Sequence, residues 1–201
     1  PLPAQSTNSV ASTSQQANQQ KAHALLAATI QALGGQAWLD LRSARMQVRV
    51  AKFFQGAPTG TFEATEASEF PDKKRLDFPK EHVVQIFSGD NGWEITYKGK
   101  RQLSQSENDE YRRVKDHDLS VVLRKWYSNP ATVLIDEGPS QVERHVTDKI
   151  MLINPANDAV TLEIDAESHL PLRLSYEWRD PRFHDKNLDT VEYDNYQRMD
   201  G

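Results

Sequence analysis

The chain has 201 residues with 24 basic and 29 acidic side chains, a net charge of −5, and no cysteine. Disulfides, thiolate catalysis and cysteine-ligated metal are thereby excluded, and with no lysine- or arginine-rich block the electrostatic footprint of a nucleic-acid binder is missing. The longest unbroken apolar run, Ala24 to Ala28, falls far short of the roughly 20 residues a membrane-spanning helix needs.

Residue 1 is proline, and Pro1-Leu2-Pro3-Ala4 before Gln5 reads either as the end of a signal-peptide cleavage region or as an arbitrary chain boundary. Ala4 to Lys21 is almost entirely Ser, Thr, Gln, Asn and Ala, which predicts a disordered polar tail over residues 1–21 and one domain over 22–201. From Ala22 a helical stripe begins, with Leu26, Ile30 and Leu33 in phase and Gly34-Gly35 as the stop. Gln36 to Leu41 predicts a further turn of helix that carries Trp38.

At Ser43 the period changes to two. Ala44, Met46, Val48 and Val50 alternate with Arg45, Gln47 and Arg49, and similar alternation follows over 61–65, 75–78, 82–87 and 93–97. Gly89-Asp90-Asn91-Gly92 contains Asn-Gly between two apolar runs, a strong hairpin signal. Residues 107–127 read as a helix with Leu119, Val122, Leu123 and Trp126 on its apolar stripe, a capping box at Ser104–Glu107 or Ser106–Asp109, and Asn129-Pro130 as a stop. The two-residue period then returns over 132–137, 142–146, 149–153, 160–165, 170–178 and 189–196. About ten to eleven strands with two helical insertions, and no strand-helix-strand alternation, predict a mainly β, α+β fold. A single antiparallel sheet of that size curls, and the two helices are available to cover its apolar face.

Metalloprotease, serine-hydrolase, phosphate-loop and dinucleotide motifs are all missing from the sequence, and its six histidines are scattered singly. Asp116-His117-Asp118 reads as a solvated helix face, because neighbouring residues on a helix diverge by about 100°. The stretch Arg179 to Asp185 reads as a charged loop, with a small share left for a metal or carboxylate role of Asp180, His184 and Asp185. Arg75, beside Leu76 and Phe78, is either a surface arginine or a contact for a ligand head group. Trp38, Trp93, Trp126 and Trp178 sit on apolar stripes, as core residues or as the wall of a cavity.

Ala32-Leu33-Gly34-Gly35 ahead of Trp38, Pro71 with Arg75, Ser88 to Trp93, Ile164-Asp165 with Leu170-Pro171, and Tyr193 to Tyr196 together resemble bacterial outer-membrane lipoprotein-sorting proteins of the LolA/LolB-like superfamily. The resemblance runs from about residue 22 to the end. It implies an incomplete antiparallel β-barrel with helices over its open side, in an exported protein, periplasmic or secreted, whose relatives include carriers of lipoprotein acyl chains. In those carriers an arginine that helps hold the lid precedes the proline matching Pro71, and here that position is Phe70. Relatives usually continue for another strand or two past the position of Gly201, so the last strands of the barrel are expected to be missing.

The resulting expectation is a non-catalytic carrier or binder of a lipid, a lipoprotein acyl chain or another apolar ligand, without cofactor or metal. Met46, Val48, Val50, Phe62, Leu76, Phe78, Ile86, Trp93 and Ile95 would line the cavity, with Leu26, Ile30, Leu119, Val122 and Trp126 in its lid and Arg75 at the head group. The alternative is a filled β scaffold that contacts envelope proteins through its surface and has no cavity.

Overall fold

The computed structural model describes residues 7–54 and 57–198, with the side chains at 7–13, 50–54 and 58–59 outside the description. In chain order the helices are α1 (Thr7–Ala32), α2 (Gln36–Asp40), α3 (Gln105–Asp116) and α4 (Leu119–Val121), the last running into a π-helical turn at Val122–Trp126. The strands are β1 (Ser43–Phe54), β2 (Ala57–Glu69), β3 (Lys73–Phe78), β4 (Val83–Ser88), β5 (Asn91–Thr96) and β6 (Gly99–Gln102), then β7 (Val133–Val142), β8 (His145–Ile153), β9 (Ala159–Asp165), β10 (Pro171–Arg179) and β11 (Lys186–Glu192). All pairings are antiparallel, as expected, in the orders β1-β2-β3-β4-β5-β6 and β11-β10-β9-β8-β7. The strands form two antiparallel ladders, consistent with the curled sheet and helices that were expected, with the helical insertion after β6 lying between them in the chain. Neither ladder closes on itself. The chain divides into two compact units, residues 40–116 with the six-stranded sheet and residues 1–39 with 117–201, which hold the five-stranded one.

In the five-stranded unit, strand periodicity produces a fully buried layer. Leu162 on the central strand β9 stands opposite Ile150 of β8 and Leu174 of β10, and all three side chains are 0% exposed. Leu26 and Ile30 of α1 and Val122, Leu123 and Trp126 of the π-helical turn close over this layer. Tyr127 N–H bonds Val122 O at 3.0 Å, the five-residue reach that defines a π turn.

Helix α1 begins at Thr7, so the disordered tail expected over residues 1–21 is corrected from that residue on; residues 1–6 lie outside the described chain. The physical reason is a tether to a sheet edge. β7 is an edge strand, and its register shifts between Asp136 and Gly138, which leaves the Asp136 peptide without a ladder partner on its outer side. The Asn18 side chain supplies both halves of that pairing, its Nδ2 donating to Asp136 O at 2.7 Å and its Oδ1 accepting from Asp136 N at 2.9 Å. Lys21 Nζ adds an ion pair at 2.6 Å to the Asp136 carboxylate. Asn18→Ala is expected to speed amide hydrogen exchange selectively in the first half of α1 and to lower stability by about 1–2 kcal/mol, the cost of unmade bonds at a partly buried peptide. Equal exchange in the two proteins would contradict the tether.

The helix after the six-stranded sheet is interrupted where the sequence predicted one piece. α3 starts with the expected capping box, in which Ser104 N–H donates to Glu107 Oε2 at 2.8 Å. The Arg101 guanidinium and the Ser104 donors hold the Glu107 carboxyl down at about 2. After Asp116 the helix breaks, and Asp118 caps a new start by accepting Ser120 N–H at 2.9 Å. His117, in the break, is 6% exposed rather than on a solvated face. Its Nε2 lies 2.9 Å from Asp158 Oδ2 and its ring stacks on Tyr176.

Two turns have identifiable causes. Between β4 and β5 the turn residues are Gly89 and Asp90, with Gly89 at φ 59°, while Asn91-Gly92 already belongs to β5. Gly92 is required by packing: a Cβ there would lie 2.6 Å from Leu103 Cδ1 and 2.8 Å from Phe87 Cδ1. Gly92→Ala is therefore expected to cost about 1–3 kcal/mol, read as a lowered denaturant midpoint, and an unchanged midpoint would contradict the close fit. At the β9–β10 turn, Asp165 accepts N–H bonds from Glu167 and Ser168, the Ser168 hydroxyl and His145 Nδ1. The Ser168 N–H, then the Ser168 hydroxyl and His145, hold its carboxyl below the ordinary aspartate value against the opposing effect of burial. A depressed folded value means stability present above the unfolded value of about 3.9 and lost as pH falls through the folded one. Asp165→Asn is expected to flatten the fall of melting temperature between about pH 4 and pH 2; parallel curves would contradict it.

Candidate functional site

Register decides which of the candidate lining residues share a face. Met46 opposes Glu66, Val48 opposes Ala64 and Val50 opposes Phe62 across β1–β2, while Leu76 opposes Glu66 across β2–β3 and Phe78 opposes Val83 across β3–β4. Residues directly opposite lie on the same face of a sheet. By alternation, the first face therefore carries Met46, Val48, Phe62, Leu76 and Phe78. Ile86 opposes Arg75 and Trp93, and Val84 opposes Asp77 and Ile95. Ile86, Trp93 and Ile95 consequently lie on the second face together with Arg75.

The nine candidates are thus brought to one sheet but not to one surface. The error lies in β4 and β5, where Val83, Val84, Ile86, Phe87, Trp93 and Ile95 supply apolar side chains to both faces, so that the pattern alone does not say which is inward. The side chain of Val50 lies outside the described residues.

On the first face Met46 is 46% exposed, and Val48, Phe62, Leu76, Phe78 and Val83 are half-buried. Toward β5 the same face is closed: Phe87 stacks on Tyr111 of α3 at 3.8 Å between ring centroids, and Leu103 is 7% exposed. Among the described residues, the buried apolar cluster takes all its members from the five-stranded unit and its helices. The lid candidates Leu26, Ile30, Val122 and Trp126 belong to that cluster and Leu119 packs against it, beside Ile150, Leu152, Leu162 and Leu174.

The second face carries an open groove of about 500 Å³ at the ends of β1 to β4. Of its lining residues, Ala67 and Ile86 present apolar side chains on this face, and Arg45, Lys73, Arg75 and Glu69 present charge. Arg75 binds Asp77 through Nε and Nη2, with Nη2 to Oδ1 at 2.7 Å. That fork, helped by the field of Arg45, holds the Asp77 carboxyl below its ordinary value. Lys73 pairs with Glu69 at 3.1 Å and Lys74 with Glu66 at 3.0 Å. Sequence reasoning missed Arg45 and Lys73, since their only signal is a polar position between apolar ones. In the Arg179–Asp185 loop, Asp180 Oδ1 accepts the N–H groups of Arg182 and Phe183, so this carboxylate shapes the turn.

No family model matches the chain, and no curated protein matches it. Among solved structures, a DUF1329 family protein from Desulfovibrio piger is similar over 82% of this chain and 75% of its own, with a TM-score of 0.53 and 11% identity. A domain described as an outer membrane lipoprotein-sorting protein from Vibrio parahaemolyticus covers 87% of this chain and 78% of its own at TM-score 0.49 and 13% identity. A LolA superfamily protein from Nitrosomonas europaea covers 82% and 79% at TM-score 0.46 and 12% identity. At these identities the likeness is one of fold. The fold shared with the DUF1329 protein is the one that this comparison shows.

Proposed function

We propose that the protein is an extracytoplasmic, non-catalytic carrier or binder of a lipid, a lipoprotein acyl chain or another apolar ligand, held on the first face of the six-stranded sheet. The observation that carries this reading is the contrast between the two sheets. Leu162, Ile150 and Leu174 are 0% exposed, whereas Met46, Val48, Phe62, Leu76 and Phe78 keep apolar surface available. Each methylene removed from water contributes about 0.8 kcal/mol, so an acyl chain on such a surface needs no specific polar contact. The lipoprotein-sorting resemblance of the sequence supports both export and an acyl cargo. Leu26, Ile30, Leu119, Val122 and Trp126 serve in this reading as the packed residues that fix the helices.

Titration with a fluorescent, uncharged long-chain monoacylglycerol tests the reading. Saturable one-to-one uptake is expected, with competition by unlabelled monopalmitin. No uptake would overturn it in favour of a filled scaffold that acts on envelope proteins through its surface.

A further inference from the structure

The groove on the second face has the volume of a small-molecule site, within the roughly 300–1,000 Å³ that such sites occupy. Its charge runs against that of the molecule. On this face Arg45, Lys73 and Arg75 against Glu69 give 3 − 1 = +2 among the lining residues, in a chain of net charge −5. Lys73, Lys74 and Arg75 have carboxylate partners, whereas no ion pair is found for Arg45 among the described residues. The groove is also amphipathic, because Ile86 forms part of its wall and continues on the same face into a strip. Ile86 stands opposite Trp93 and, two residues along, Val84 opposite Ile95. The Lys100 ammonium lies 5.0 Å from the centre of the Trp93 ring at the far side of that strip.

We propose that this groove is a second ligand site, which takes the anionic head group of a single-chain amphiphile between Arg45, Lys73 and Arg75 and lays its chain along Ile86, Trp93, Val84 and Ile95. The Arg45 guanidinium acts on Asp77 only through its field and forms no ion pair among the described residues, so its donors are ready to make charge-assisted bonds to a phosphate or carboxylate, and the concave shape suits one molecule better than a flat bilayer. This site extends the ligand reading above without resting on the first face.

Calorimetric titration with decyl phosphate, decyltrimethylammonium and inorganic phosphate, each below its aggregation concentration, tests the proposal. Decyl phosphate is expected to bind about tenfold or more tighter than the cation, with an advantage that shrinks as salt rises. Arg45→Gln should remove most of that advantage, and Ile86→Asp should weaken decyl phosphate towards the level of inorganic phosphate. Phe78→Glu, on the first face, should leave the advantage of decyl phosphate over the cation unchanged. Equal affinity for the two amphiphiles, an unaffected Arg45→Gln protein, or inorganic phosphate binding as tightly as decyl phosphate would each overturn the proposal. Loss of decyl phosphate binding in Phe78→Glu but not in Arg45→Gln would overturn it while leaving the first-face reading intact.

Discussion

Phe78→Glu is expected to abolish uptake of an uncharged long-chain monoacylglycerol, with affinity down by at least a hundredfold, while the protein stays folded. Phe78 opposes Val83 across β3–β4, and Val48 opposes Ala64 on the same face, which makes this the most continuous apolar part of that surface. A carboxylate there must be desolvated beneath the ligand or hold water against it, and either costs several kcal/mol. Phe78 is only half-buried, so the free protein loses little by the change. Circular dichroism and melting temperature verify the fold, and a competition titration reads the affinity. A folded variant that still binds within threefold of wild type would remove the first face from the account. Trp93→Glu is the matched control, since it lies on the opposite face and should leave first-face binding intact.

The second large effect concerns stability. Leu162→Ala is expected to lower the unfolding free energy by about 2–5 kcal/mol, the range for truncating a fully buried leucine. The expectation sits at the high end because the site has little room to collapse. β9 is the central strand of its sheet, Ile150 and Leu174 flank Leu162 at 0% exposure, and Leu26 and Trp126 belong to the same cluster. Leu76→Ala, on the half-buried face, should cost much less. Urea titrations of both variants check the contrast, and similar losses would mean that the first face is as tightly packed as the core of the five-stranded sheet.

The fold was legible where side-chain period and burial agree. Val160, Leu162 and Ile164 alternate cleanly because only one face of β9 is packed with apolar groups, and its order in the sheet follows from short hairpins on either side. β6, Gly99–Gln102, was not legible, as its four residues are all exposed and carry no apolar pattern. The segment predicted over 132–137 is the first half of β7, which runs on to Val142 past a bulge at Asp136–Gly138 that breaks the period, and the one predicted over 142–146 straddles the turn from β7 into β8. Helix α1 escaped notice before residue 22 because what holds it is Asn18 and Lys21 against one aspartate over a hundred residues away, not an apolar stripe.

The candidate site was legible as a set of residues and not as a geometry. Alternation places Phe78 and Trp93 on apolar positions but says nothing about which faces align. That depends on the register of three hairpins, and in particular on Arg75 facing Ile86 rather than Gln85. Arg75 was singled out as a charged group beside Leu76 and Phe78, whereas the apolar neighbours on its own face are Ile86 and Trp93.

Native mass spectrometry of the protein with added monopalmitin, which carries no charge for the second-face groove, run beside Phe78→Glu, tests the central claim most directly. A one-to-one complex is expected for the wild-type protein, and its loss in the folded variant. A ligand-free mass for both proteins, or equal occupancy in both, would contradict it.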